Sequence, residues 1–147
     1  MSFKALSNWD LDKMFARNKN YGGTLSKDEL PRLQSKFYVV NMSNAGEEGT
    51  HWVMVYNVRP HDVYYFDSFG QFPPEEILTR MQATGKDILR NSQIIQAFNS
   101  VRCGYFCALV AQLLDKGYEF LNIMDDFSSH RRNNEHLLMK SIATLRF

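Results

Sequence analysis

Residues 99–114, NSVRCGYFCALVAQLL, join a polar segment to a long apolar run. Apolar side chains in this run recur every three or four positions, as on the buried face of a helix. They are Phe106, Leu109, Val110, Leu113 and Leu114. Cys103 stands where the polar segment meets the apolar run. The stretch therefore predicts a core helix that begins at or near Cys103 and ends near Gly117.

The position of Cys103 favours a thiolate nucleophile. In the first turn of a helix, unpaired backbone N–H groups and the positive end of the helix dipole stabilise negative charge. Thiolate is the reactive form of cysteine, and Gly104 beside it would leave space for a substrate backbone. Most free cysteines are nevertheless buried and inert, as we expect for Cys107 one turn further on. The segment alone leaves both interpretations of Cys103 open.

Several segments upstream of this helix have the character of β-strands. Residues 36–42, 51–58 and 62–66 are rich in Val, Tyr and Phe, and residues 92–97 are predicted as another short strand. The turn at residues 59–61 is short enough for an antiparallel hairpin between its two flanking strands.

The remaining segments are predicted as helices and loops. Capping signals at Ser7 and Ser26 predict a helix to about residue 17 and a helical turn near residue 29, and residues 18–24 are predicted as a loop because they contain two adjacent glycines. A further helix is expected from residues 73–76 to about 83, and two more over residues 118–147. The fold class is therefore α+β: a central, mostly antiparallel sheet, the nucleophile at the N-terminus of a core helix, and further helices packed around it. Residues 1–147 are expected to form one domain, since no repeat or linker interrupts them.

A cysteine nucleophile needs a base, and His51 and Asp67 are placed to provide one. His51 begins the second strand and Asp67 follows the third. If the two strands pair as a hairpin, both side chains lie at the same end of the sheet. The carboxylate could then hold the imidazole in the correct tautomer, facing a thiol. A single histidine at a strand end is more often structural than catalytic. The prediction of a catalytic base therefore rests on the pairing of His51 with Asp67.

Gln96, seven positions before Cys103, is the candidate oxyanion donor. Its side-chain amide, together with the Cys103 backbone N–H, could stabilise a tetrahedral intermediate. A lone glutamine carries little information by itself.

Composition excludes several classes of function. The 17 basic and 16 acidic residues give a net charge of +1, whereas dedicated nucleic-acid binding requires a basic excess. The local patch of Arg131, Arg132 and Lys140 is expected to be a solvated helix face.

Two cysteines support neither a disulfide framework nor a zinc site, so no metal is expected, and a reducing compartment is the natural setting. No signal peptide or membrane span is visible, so secretion and a membrane association are not expected.

Two segments resemble the adenovirus-type endopeptidases (the adenain family) of the ubiquitin-like-protein protease clan. One is QAFNSVRCGYFC at residues 96–107, and the other is GTHW at residues 49–52 leading to YFDSFG at residues 65–70. The resemblance is specific over residues 49–107, faint before them and absent over the tail. The order His, Asp, Cys also points away from papain-like enzymes, in which Cys comes first.

The resemblance implies a cysteine endopeptidase. Cys103 would be the nucleophile, His51 the general base, Asp67 the orienting acid and Gln96 the oxyanion donor. Trp52, Gly104 and Tyr105 would lie along a narrow substrate groove. Expected substrates are viral capsid or precursor proteins cut at Gly-containing sites, and expected locations are the virion and the infected host cell.

The sequence also departs from the family and leaves rival functions open. The acid is Asp67 where adenain has Glu, and the chain is shorter. Activation by a disulfide-linked peptide or by DNA is not assigned, and no cofactor is expected. The rivals are a protease that removes ubiquitin-like tags, an effector-type acetyltransferase and a catalytically silent binding domain. The tag-removing enzymes place the glutamine one residue closer to the cysteine, and no basic site for a coenzyme is evident.

Overall fold

The computed structural model describes residues 4–47 and 51–144. They form five strands and five α-helices, with one 3-10 turn (Lys27–Glu29). The strands are β1 (Tyr21–Ser26), β2 (Phe37–Asn41), β3 (Trp52–Tyr56), β4 (Asp62–Phe66) and β5 (Asp87–Arg90). The α-helices are α1 (Asn8–Met14), α2 (Glu75–Gln82), α3 (Cys103–Asp115), α4 (Phe120–Asp126) and α5 (Arg131–Thr144). The predicted α+β class is confirmed.

The strands form one mixed sheet in the order β1-β2-β3-β4-β5. The β2–β3 and β3–β4 pairs are antiparallel, and the predicted hairpin is the second of them. The two outer pairs, β1–β2 and β4–β5, are parallel. The prediction of a mostly antiparallel sheet is therefore wrong, because it included neither edge strand.

Strand β1 (Tyr21–Ser26) begins inside the segment that was predicted as a loop, residues 18–24, and extends two residues beyond it. Its glycines allow close packing rather than a turn: a Cβ atom on Gly22 would lie 2.5 Å from the ring of Tyr38 on β2. Only glycine lets the aromatic ring lie against the backbone here. The Gly-Gly pair therefore belongs to an edge strand whose backbone packs against the ring of Tyr38.

Residues 92–97 form no strand, contrary to the prediction. The N–H groups of Ile95 and Gln96 both donate to the carbonyl oxygen of Ser68, at 2.8 and 2.9 Å. Two successive N–H groups bound to one oxygen do not fit a regular β ladder, in which neighbouring N–H groups point in opposite directions, and no strand is formed here. The segment is a loop fixed to the turn that follows β4.

The sheet is buried on both faces. On β3, Met54 and Tyr56 face the layer of α3, whereas Val53 and Val55 face the layer of α2. Helix α2 covers its face with Ile77 and Met81, both fully buried, and each contributes about 1.5–3 kcal/mol. Since both faces are covered, the open ends of the strands are the places where a site can form.

Helix boundaries follow the capping signals. Ser7 caps α1 and forms a capping box with Asp10, as predicted, and Ser26 with Glu29 does the same for the 3-10 turn. Helices α4 and α5 are separated at residues 127–130, close to the predicted break. Over residues 4–47 and 51–144, no helix has both the length and the apolar character needed to cross a membrane.

Candidate active site

Cys103 is the first residue of α3, as the sequence predicts. Its side chain is nearly buried, with 7% of its surface exposed. The backbone N–H of Trp52 donates to the Cys103 Sγ atom at 3.4 Å. The sulfur therefore lies at the start of β3 and receives a hydrogen bond that strengthens when it carries negative charge.

His51 and Asp67 meet across the β3–β4 hairpin. His51 immediately precedes β3 and Asp67 immediately follows β4. The antiparallel register, with Met54 opposite Phe66, brings the two to the same sheet end. The His51 Nε2 atom lies 2.6 Å from the Asp67 Oδ1 atom. The juxtaposition predicted from the hairpin is therefore present.

Asp67 is held rigidly, with 1% of its surface exposed. Asn91 bridges its backbone: the Asn91 side chain accepts from the Asp67 N–H at 3.1 Å and donates to the Asp67 carbonyl at 2.6 Å. The Oδ1 atom also accepts the Phe69 N–H at 2.8 Å. These contacts hold the Asp67 backbone and carboxylate in place without any contribution from His51.

The pKa of His51 is raised to about 9 from its ordinary value of 6.5. Burial acts in the opposite direction, but the hydrogen bond to Asp67 and the interaction with Cys103 outweigh it. Because Nε2 faces Asp67, the buried Nδ1 atom is the one left to face the Cys103 sulfur. The ring of Phe69, whose centroid is 4.8 Å away, packs against the imidazole.

Gln96 is buried, with 1% of its surface exposed. The Ser68 hydroxyl donates to its Oε1 atom at 2.5 Å, and its Nε2 group donates to the Ser100 carbonyl at 2.8 Å. These two bonds fix the orientation of the Gln96 side-chain amide. The bond to Ser100 uses one of the two Nε2 protons. Ser68 and Ser100 were not predicted to support the site, and neither was Asn91. The serines flank predicted residues in sequence, but nothing in the sequence marks Asn91.

The three residues expected along the substrate groove take different positions. Trp52 borders the sulfur through its backbone, and its indole N–H donates to the Leu6 carbonyl at 2.9 Å. Tyr105 is partly buried against the core, where burial raises its pKa. Gly104 is buried, and an added Cβ atom would lie 3.1 Å from Leu6 and 3.4 Å from the Trp52 ring. The side on which a Cβ atom of Gly104 would project is therefore filled by Leu6 and Trp52, and the place of Gly104 along a substrate groove stays a prediction.

Cys107 has the surroundings expected of an inert thiol. It is fully buried, burial raises its pKa, and its thiol donates to the Trp52 carbonyl at 3.6 Å. Within the described part of the chain, no group of three or more His, Cys, Asp or Glu side chains could hold a metal ion. The chemistry available at this site is that of a thiol, an imidazole and a carboxylate.

Comparisons with known proteins bear on the fold. A scan against protein-family models and a search of curated proteins each find no match. Two crystal structures of the ASFV pS273R protease are similar: one at 14% identity over 67% of this chain with a TM-score of 0.51, the other at 12% over 79% with a TM-score of 0.58. This chain spans only 43% and 59% of those chains.

A third structure, the central domain of the uncharacterized Lpg1148 protein from Legionella pneumophila, aligns over 96% of this chain and 97% of its own. Its identity is 12% and its TM-score 0.49, too low to support an argument. At the identities of the two protease structures, the likeness shows a shared α+β fold. The comparisons do not show the adenovirus-type family itself.

Proposed function

We propose that this chain is a cysteine-type endopeptidase, with Cys103 as nucleophile, His51 as acid–base and Asp67 as the orienting acid. The observation that carries the proposal is the 2.6 Å contact between the His51 Nε2 atom and the Asp67 Oδ1 atom, made by a ring that also interacts with Cys103. A nucleophile beside a base that a third group orients is the arrangement required for covalent catalysis. The fold shared with the ASFV pS273R protease supports it.

The raised pKa of His51 changes the expected first step. Below about pH 9 the ring carries both protons, and the proposed attacking species is the thiolate form of Cys103 next to this imidazolium. The thiolate attacks the peptide carbonyl carbon and the carbonyl π electrons move to the oxygen. His51 then gives a proton to the leaving amine as the C–N bond breaks, and a water that returns this proton to His51 hydrolyses the thioester.

Gln96 is the proposed oxyanion donor. Its Nε2 group has two protons, and only one is used by the Ser100 carbonyl. The other, with the Cys103 backbone N–H in the first turn of α3, would bind the developing negative charge. The Ser68 hydroxyl fixes the amide by bonding to its oxygen, so the donor would need no reorganisation during the reaction.

The proposed substrates are viral capsid or precursor proteins, cut at Gly-containing sites in the virion and the infected cell. The support is the sequence resemblance over residues 49–107 together with the likeness to a protease of ASFV. No activating peptide, nucleic acid or cofactor is assigned.

A proteome-derived peptide library tests the proposal. The wild type and a Cys103→Ser variant are incubated with the library, and new N-termini are identified by mass spectrometry. We expect cleavage after glycine by the wild type alone. Equal products from both proteins would refute the proposal, and hydrolysis confined to ubiquitin-like conjugates would replace the viral substrates with tag removal.

A further inference from the structure

A polar groove of about 450 Å³ begins at Trp52 and is separate from the residues of the triad. The ends of β1 and β2, the N-terminal segment and the loop after β2 form its walls. Among the described residues that line it, only Glu29 and Glu47 are charged. Trp52 joins this groove to the proposed nucleophile, since its backbone N–H donates to the Cys103 sulfur at 3.4 Å.

The sheet register sets the length of this groove. Trp52 pairs with Asn41, and Asn41 pairs with Ser26, so the three residues form one row across three strands. Neighbouring strands are about 4.8 Å apart, which places Ser26 about 10 Å from Trp52. The Ser26 N–H donates to a carboxylate oxygen of Glu29 at 3.3 Å, so that carboxylate lies at the far end of the row.

The position of His51 relative to this row indicates which part of a peptide substrate the groove would hold. His51 must protonate the leaving amine, and it lies with Asp67 on the β4 side of β3. The leaving part of the peptide therefore lies on that side. The acyl part, N-terminal to the cleaved bond, is left for the β2 and β1 side. An extended peptide advances about 3.3 Å per residue, so its third or fourth residue from the bond reaches Glu29.

The far end of the groove is negatively charged and held in place. The loop that carries Glu47 is fixed to the 3-10 turn, because the Ala45 N–H donates to the Asp28 carboxylate at 2.8 Å. Lys27, in the same 3-10 turn as Glu29, is bound by Glu76 of α2 at 2.5 Å. The two groove carboxylates each accept one backbone N–H, from Ser26 at 3.3 Å and from Asn44 at 2.9 Å, and no cation is among the lining residues that the structure describes.

We infer that this groove is a subsite for a Lys or Arg side chain three or four residues N-terminal to the cleaved bond. The inference rests on the proposed protease function and adds a substrate preference to it. The carboxylates of Glu29 and Glu47 select the cationic side chain, while the row of Trp52, Asn41 and Ser26 sets its distance from Cys103.

Three irreversible peptide probes test the subsite. They are Ac-Lys-Lys-Gly-Gly, Ac-Gln-Gln-Gly-Gly and Ac-Glu-Glu-Gly-Gly, each ending in a vinyl methyl ester that alkylates the nucleophile. Labelling rates are measured for the wild type, for Glu29→Gln/Glu47→Gln, and for Glu75→Gln/Glu119→Gln. The last variant loses the same charge at exposed positions outside the groove. Iodoacetamide, which does not reach the groove, is the reference reagent.

We expect the Lys probe to label the wild type about tenfold faster than the Gln probe, since Glu29 and Glu47 are exposed and two surface ion pairs of about 0.7 kcal/mol each give roughly this factor. The Glu probe should be slowest, and added salt should reduce the differences. The preference should disappear in Glu29→Gln/Glu47→Gln and persist in Glu75→Gln/Glu119→Gln. Equal labelling by all three probes, or a preference that survives in the groove variant, overturns the subsite and leaves the protease intact. No labelling of Cys103 by any probe overturns both.

Discussion

Replacing Asp67 by Asn tests how the imidazole is held. Asn keeps the size of the side chain and an Oδ1 acceptor for the Phe69 N–H. It removes the negative charge 2.6 Å from the His51 Nε2 atom. The backbone bridge from Asn91 does not involve the carboxylate and should persist. The substitution therefore changes the charge next to the ring and little else.

The expected magnitude follows from the pKa of His51. Its rise from 6.5 to about 9 corresponds to about 3 kcal/mol of stabilisation of the imidazolium. Loss of a neighbouring opposite charge lowers such a pKa by about 1–3, so the pKa of His51 in the Asp67→Asn protein should fall from about 9 to about 6–8. Burial, which acts to lower the pKa, is then opposed only by Cys103.

The same pKa predicts how stability depends on pH. A raised histidine pKa means that the folded state holds the proton more tightly than the unfolded state. The stabilisation is therefore complete below pH 6.5 and is lost as pH rises through about 9. Between these values the wild type should lose up to about 3 kcal/mol of unfolding free energy from this group. Asp67→Asn should lose much less.

Two measurements check this prediction. Nuclear magnetic resonance titration of the histidine rings gives the pKa of His51, and urea unfolding at pH 6 and pH 9 gives the stability difference. Asp125→Asn, at an exposed position on α4, is the control for loss of a carboxylate. A His51 pKa near 9 in the Asp67→Asn protein, or an unchanged pH dependence of unfolding, would refute the reasoning.

Three further substitutions have defined outcomes. Gly70→Ala should lower the unfolding free energy by more than about 2 kcal/mol in urea titrations, because φ is +68° and the new Cβ atom would lie 2.5 Å from the Ser92 carbonyl oxygen. Gln96→Ala should lower kcat about 10²–10³-fold on a library-derived peptide, as loss of an oxyanion donor does, while an unchanged kcat would exclude that role. Trp52→Phe removes the indole hydrogen bond to the N-terminal segment and should cost about 1 kcal/mol in thermal unfolding, whereas the exposed Trp9→Phe should cost almost nothing.

The sequence predicted the centre of the fold because its signals there are local. The hairpin of β3 and β4 has a short turn between two aromatic runs, and α3 has strong helical periodicity. Together they placed His51, Asp67 and Cys103 at one end of the sheet. Gly49 and Thr50, which also carry the resemblance, lie outside the described residues.

The edge strands and the supporting contacts were not predictable in the same way. Strand β1 contains two glycines, and only the packing of Tyr38 explains Gly22. Residues 92–97 include Ile95, which is buried against the core, while the backbone N–H groups of Ile95 and Gln96 bond to Ser68 rather than to a strand. The space beside Gly104 is taken by Leu6, nearly a hundred positions away in the chain. Contacts between distant segments leave no periodic pattern in the sequence.

The most direct test of the proposed catalytic pair is the rate of Cys103 alkylation by iodoacetamide across pH, in the wild type and in His51→Ala. Peptide mapping separates Cys103 from the buried Cys107. We predict rapid labelling of Cys103 in the wild type well below pH 8.5, where an ordinary thiol is mostly protonated, and loss of this labelling in His51→Ala. Slow labelling at the same rate in both proteins would contradict the proposed pair.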